Sequence, residues 1–476
     1  MSGSGSRGTT RAAAALAIAA IVAAACGSGG ATPSSSLRST PLVTPPATAS
    51  PQPYQSFAQG DFTVIKGLAH VLSPAQDLGA VAAAELNDFG FDLLRHLDSS
   101  GNLCASPTSI ALALAMVEPG AKGQTAAEMA KVMHSFGSSG QASEILALLD
   151  SLRAKNVYVD TDGQPLPADA TPDPARPDPT DQLNVANQAF LQSGMAFEQQ
   201  YLDALSSGFD SGIGTLDFAK DPETARLAIN KWASDQTKGR IPSVLQPGDV
   251  NESTRFALAN SIYLKAAWAY QFDKAKSKSR NFTTASGSVV SVPTMATERE
   301  LSFSSGTGYR AVELPMSDHT MSMTIIVPNK MADFVGGLSQ AKLSAILAAE
   351  STYYVDFSLP RFSIDTRFDL KAALTDMGMP TVFSSSADLS GVAPVGQLNP
   401  QGLKLDRVIH QANIDVVEEG TTAAAVTVAI GATGGPGDQT PPPHVQFHVD
   451  KPFLYLIRDT DSGAVLFIGR VDDPSK

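Results

Sequence analysis

The sequence predicts a single α+β domain over residues 59–476, and three observations point to it. Apolar residues at helical spacing come first along the chain. Short apolar runs bounded by turn residues dominate after residue 255. No internal repeat of solenoid or propeller length interrupts this order, so one mixed layer architecture accounts for it.

The first helix follows from Leu86, Phe89, Leu93 and Leu97, which share one helical face and run out at Ser99-Ser100-Gly101. A second spans Ser109 to Val117, opened by Pro107 and closed by Pro119-Gly120. Met321 to Val327 and Phe453 to Ile457 read as buried strands. Asp459-Thr-Asp-Ser-Gly463 turns the second into Ala464 to Ile468, giving a C-terminal hairpin.

The chain has 476 residues, 43% of them hydrophobic and 17% charged, the composition of an ordinary globular protein. Its formal charge of −13 argues against nucleic acid as a partner, which would need a basic face. Residues 1–26 read as an export signal: Arg7 and Arg11 precede an apolar run from Ala12 to Ala25 that is short for a membrane span. Small residues directly before Cys26 resemble a bacterial lipoprotein signal, with Cys26 the lipidated N-terminus on a membrane. A plain secretory cut near Ala25 is the alternative, and either route gives an exported, cell-surface or secreted protein. Residues 27–58 are Ser, Thr, Pro, Ala and Gly almost throughout and read as a disordered tether. Residues 160–181 carry six prolines and read as a surface insertion. Cys104 is the one other cysteine; with no disulfide expected, stability rests on the core.

Enzyme signatures are missing. There is no G-x-S-x-G, no phosphate-binding G-x-x-x-x-G-K-[ST], no H-E-x-x-H and no C-x-x-C. His444 and His448 lie four apart, but in a Pro-led strand rather than on a helix, and are not read as metal ligands. No cofactor and no metal are expected.

The segment Glu418-Glu419-Gly420-Thr421-Thr422-Ala423-Ala424-Ala425-Val426-Thr427-Val428-Ala429-Ile430 has a different character. Past the glutamates it is uncharged, and a Gly/Pro-rich stretch follows. Laid out as a strand, Thr421, Ala423, Ala425, Thr427 and Ala429 share one uniformly small face. Such a strand could slide between two others without steric cost or a buried unpaired charge. A flexible surface loop is the plainer reading of the same residues.

Glu418 to Ala425 resembles the hinge of inhibitory serpins. Asn102 to Ile110 with Gly120 to Thr125 is similar to the family's early strand and helix. Asn230-Lys-Trp232 through Thr237-Lys-Gly-Arg-Ile241 is similar to its N-x-W…T-x-G-x-I element. Asn260 to Trp268, Leu359 to Phe362, Asp369-Leu370, Leu374 to Met379, and Asp450 to Val471 follow in family order.

The resemblance implies the serpin fold, helices packed on three β-sheets with an exposed reactive loop at 418–444. It implies a suicide inhibitor of serine-type, or cysteine-type, endopeptidases rather than an enzyme, with a non-inhibitory binding protein as the alternative. A protease would acylate itself on the loop, and the cut loop would then insert into the main sheet and drag the acyl-enzyme with it. By the same resemblance Glu418, Gly420, Thr421, Ala423, Ala424, Ala425 and Thr427 form the hinge. Ser106, Ser109, Asn260 and His410 form the polar cluster that governs sheet opening, and Trp268 stands where the loop enters. Counting from the hinge places the reactive bond at Gly434-Gly435, within a window of Ile430, Ala432 and Thr433 to Pro441. No Lys or Arg occurs from Gly420 to Val449, so an elastase- or subtilisin-like target is expected over a trypsin-like one, and the inhibitor itself is expected to be monomeric.

Overall fold

The structure, a computed structural model, describes residues 55–67, 78–97, 101–134, 147–149, 152, 182–209, 211–237, 239–317, 319–421 and 441–476. The signal segment with Cys26, the insertion at 160–181 and the loop from Thr422 to Thr440 lie outside the described residues.

The chain opens with a hairpin, β1 (Gln55–Gln59) and β2 (Phe62–Lys66), followed by α1 (Leu78–His96), β3 (Leu103–Ala105), α2 (Pro107–Ala115) and α3 (Gly123–Val132). Then come β4 (Gln182–Gln192), α4 (Gln199–Phe209), β5 (Ile213–Leu216), α5 (Pro222–Gln236) and β6 (Phe256–Lys265). The strand-rich part holds β7 (Lys278–Thr283), β8 (Val289–Gly306), β9 (Tyr309–Pro315) and β10 (Met321–Pro328). After α6 (Met331–Gly336) and α7 (Gln340–Ala348) follow β11 (Ser351–Pro360), β12 (Phe362–Asp369) and α8 (Lys371–Met377). The last strands are β13 (Arg407–Val416), β14 (His444–His448), β15 (Phe453–Asp459) and β16 (Val465–Val471).

Local chemistry sets these limits. Ser106 caps α2 by accepting from the Ser109 N–H, and Pro107 fills the first turn, where its missing N–H costs nothing. All nine α2 residues are buried, as a helix apolar on every side must be. Asp221 caps α5 in the same way, with Pro222 behind it.

The main sheet has seven strands in the order β1-β2-β5-β4-β6-β13-β12. A second sheet runs β14-β11-β8-β9-β10-β15-β16-β3, with β7 paired on β8. The 18-residue β8 takes part in both halves of this second array, so its ladders are continuous. The larger apolar core joins α1 and α2 to the inner faces of both sheets. A smaller cluster on the other face of the main sheet lies under α5 and the segment that follows it.

The tether read from composition to residue 58 ends earlier. Gln55–Gln59 is a strand, and a two-residue turn at Gly60-Asp61, with Gly60 at φ +60°, folds β2 back onto it.

Candidate functional site: a seam in the main sheet and the hinge at its mouth

β6 and β13 are parallel neighbours, paired from Ala257↔Arg407 only as far as Ser261↔Gln411. Beyond that rung no ladder joins Ile262–Lys265 to Ala412–Val416, although β4 and β12 continue to pair along the outer sides of these stretches. The sheet is thus stitched together at one end of this seam only.

A buried polar cluster closes the stitched end. The Ser106 N–H donates to His410 Nε2 at 3.0 Å, which leaves the ring proton on Nδ1, facing Asn260 Oδ1 at 2.6 Å. Ser109 donates from its hydroxyl to Asn187 Oδ1 at 3.4 Å. His410 is fully buried, and that burial pushes its pKa down to about 3, so it sits neutral. Three side-chain atoms on two adjacent rungs, Asn260 Nδ2, Ser261 Oγ and Gln411 Oε1, are buried without a hydrogen-bond partner among the described residues. Such groups cost roughly 1–3 kcal/mol each where no water reaches them.

At the open end stands the hinge. The Thr421 N–H donates to Ala266 O at 2.8 Å, and the Ala266 N–H donates to Thr421 Oγ1 at 3.1 Å. Gly420 bridges Ala267 in antiparallel sense, and the Trp268 N–H donates to Glu419 O at 3.0 Å. Trp268 also donates from Nε1 to Val417 O at 2.8 Å. The chain therefore begins to run beside the end of β6 in the direction a strand between β6 and β13 would take. Glycine is required at 420 because a Cβ there would lie 2.1 Å from Ala266 O.

Glu418 anchors the turn. Its side chain is 2% exposed and accepts from Ser277 Oγ at 2.5 Å and from Arg361 Nε at 2.9 Å, with Arg361 Nη2 also in contact. Burial acts to raise its pKa, but the Ser277 and Arg361 hydrogen bonds outweigh that and hold the carboxyl below its ordinary value. Neighbouring Glu419 pairs with Lys274.

A strap crosses the seam on the other face. α5 is tied to the segment after it through Asn230, which accepts from Leu245 N at 2.7 Å and donates to Leu245 O at 2.9 Å. That segment is held from beyond the seam: Arg367 on β12 donates to Val244 O at 2.8 Å and Arg407 on β13 to Asp249 O at 2.9 Å. Arg240 reaches Asp415 at 3.3 Å.

A family model described as "Serpin (serine protease inhibitor)" matches residues 84–474. The chain belongs to the serpin family. Among curated proteins this serpin is 34% identical over 401 residues to a leukocyte elastase inhibitor of Xenopus laevis, covering 81% of this chain and 97% of that protein. It is likewise 34% identical over 409 residues to Iripin-8 of Ixodes ricinus, covering 84% of this chain and 94% of that one. Among solved structures, native tengpin superposes with a TM-score of 0.71 at 22% identity, covering 86% of this chain and 97% of that one. Uncleaved ovalbumin superposes with a TM-score of 0.68 at 25% identity, covering 83% and 100%. The serpin fold read from the sequence is what the structure contains.

In this serpin Ser106, Asn260 and His410 are in contact at the seam, with Ser109 one helical turn from Ser106. Trp268, Glu418, Gly420 and Thr421 come together at its mouth. Ala423, Ala424, Ala425, Thr427, Ile430, Ala432, Thr433, Gly434 and Gly435 lie outside the described residues, and Pro441 is at the far edge of that gap. His444 and His448 both lie on β14; His448 faces Asp356 and Ser358 while the His444 ring lies against Tyr354. Sequence reasoning missed Arg361 and Ser277 as partners of Glu418, and Asn187 as partner of Ser109. They are 57, 141 and 78 residues from those partners, beyond any local pattern.

Proposed function

We propose that this serpin is a suicide inhibitor of serine-type endopeptidases that works by loop cleavage, acyl-enzyme trapping and insertion of the cut loop between β6 and β13. The observation that carries this reading is the seating of Gly420 and Thr421 at the mouth of a seam whose rungs stop at Ser261↔Gln411. Insertion would pair backbone along the unjoined stretches, and the small face Thr421-Ala423-Ala425-Thr427 suits passage between two strands. The scissile bond is Gly434-Gly435, and the target is elastase-like. Relatives named leukocyte elastase inhibitor support that target class, as does the lack of Lys and Arg from Gly420 to Val449. We also propose that the protein is exported, which Arg7 and Arg11 ahead of the apolar run from Ala12 to Ala25 support, with Cys26 as its lipidated anchor or, after a plain secretory cut near Ala25, no anchor at that residue.

The test is incubation with an elastase-like protease, followed by denaturing electrophoresis and a thermal melt of the loop-cleaved protein. A covalent complex and a sharply higher melting temperature after cleavage are expected. Quantitative cleavage with no complex and an unchanged melt would overturn the reading in favour of a binding-only serpin.

A further inference from the structure

The hairpin β1–β2 lies ahead of α1 and ahead of residue 84, where the match to the family model begins. It is nevertheless built into the main sheet. β2 pairs with β5 at Thr63↔Thr215, Val64↔Gly214 and Ile65↔Ile213, extending the sheet beyond β5 by two strands. Phe62 and Val64 are 7% and 3% exposed and belong to the apolar cluster under α5. The Phe62 ring meets Phe190 edge-on at 5.1 Å, and Phe190 meets Trp232 of α5 edge-on at 5.6 Å. Glycine at 214 makes room for this stack, since a Cβ there would lie 2.7 Å from the Phe190 ring and 3.2 Å from that of Phe62.

The hairpin therefore reaches the strap. On the far side of the seam the strap hangs from Arg367, Arg407 and, through its own Arg240, Asp415, whose bonds are directional. On the near side it rests on an apolar bed of Phe62, Val64, Phe190, Leu216 and Phe218. Admitting a strand widens the sheet by about 4.8 Å and separates the two holds by that distance. One hold must give, and every side chain added to the bed makes sliding there costlier. We propose that the N-terminal hairpin is a brace, with Phe62 its main contact, that sets how readily the seam opens. This rests on the insertion reading above.

The test uses the full chain carrying Phe62→Ala or the milder Phe62→Leu, with Phe334→Ala as a control. Phe334 is a buried phenylalanine, 4% exposed, on α6 and outside the cluster under α5. The two alanine variants should lower the native melt to a similar degree. Only the Phe62 variants should speed spontaneous conversion to an inserted form, recognised by resistance to both melting and loop cleavage. The expected gain is about tenfold for Phe62→Ala and about threefold for Phe62→Leu, roughly half of the lost packing appearing in the barrier. Conversion of Phe62→Ala no faster than that of Phe334→Ala overturns the brace alone. If loop-cleaved wild type gains no thermal stability, insertion itself fails and the brace falls with it.

Discussion

The seam between β6 and β13 and the β15–β16 pair both lie inside large sheets, yet they are built on opposite terms. β15 is buried along all seven residues and has ladders on both sides, to β10 and to β16, while β16 is paired again with β3. Its one phenol, Tyr455, rests on the Cys104 thiol. At the seam the pairing is parallel, it stops partway, and three buried polar atoms on neighbouring rungs have no partner among the described residues. Burial is less complete at the seam, where Arg407, Gln411, Asn413 and Asp415 of β13 are only half-buried. Both places hold buried polar groups, Arg458 and Asp459 on β15 among them, so what differs is the ladder, which stops at Ser261↔Gln411 on the seam and runs along both sides of β15.

The largest test of this contrast is acid. His410 is neutral in the fold with its pKa pushed down to about 3 by burial, against an ordinary 6.5. Its contribution is complete above pH 6.5 and is lost as the pH falls toward 3, about 4–5 kcal/mol over that span. A proton on Nε2 would also break the bond from Ser106. Stability measured by denaturant between pH 7 and 4 should fall steeply in the wild type and much less in His410→Leu. Equal slopes would mean that the seam is not where acid acts.

Next, the second sheet carries a group of the opposite sign. Burial first, then the hydrogen bond and charge of Glu313, push the Glu350 carboxyl up to about 9, with Arg458 opposing them. A raised carboxyl favours the fold at low pH, so its contribution declines as the pH rises from 4.5 to about 9. Glu350→Gln should flatten that decline and leave the acid limb of His410 untouched, which a pair of pH–stability curves would show. An acid limb that moves with Glu350 would mean that the two regions are not independent.

Arg361→Ala should cost about 2 kcal/mol, because Glu418 stays buried while its partner, itself 40% exposed, is gone. It should also loosen the hinge, so that spontaneous insertion speeds up along with the loss in melting temperature. Arg361→Lys should restore part of both. A drop in melting temperature with no change in insertion rate would confine Arg361 to a packing role.

Much of this was legible in the sequence. Pro107 and Ser106 mark the start of α2, the apolar runs mark β10 and β15, and the Asp459 to Gly463 turn marks the hairpin. The hinge stood out because a run of small uncharged residues is unusual by itself. The seam did not, because its character depends on which two strands are neighbours, and β6 and β13 are about 150 residues apart. The first strand of the N-terminal hairpin reads as tether because the Ser/Pro-rich composition just before it masks a short signal: Gly60-Asp61 followed by alternating Phe62 and Val64.

The smallest effect is the most specific. Ser261 is 1% exposed and its hydroxyl has no partner among the described residues, so it is a cost without a packing benefit. Ser261→Ala removes the orphan and should stabilise the uncleaved fold by about 1 kcal/mol. If the seam's polarity exists to let it part, the same change should slow loop insertion, and a larger share of the inhibitor should then be cleaved as substrate before the protease is trapped. Melting temperature and the ratio of complex to cleaved inhibitor are both read from one preparation. A more stable variant that traps its protease as efficiently as the wild type would break the link between orphaned polar atoms and sheet opening, leaving the unfinished β6–β13 ladder as the one structural reason for the seam to part.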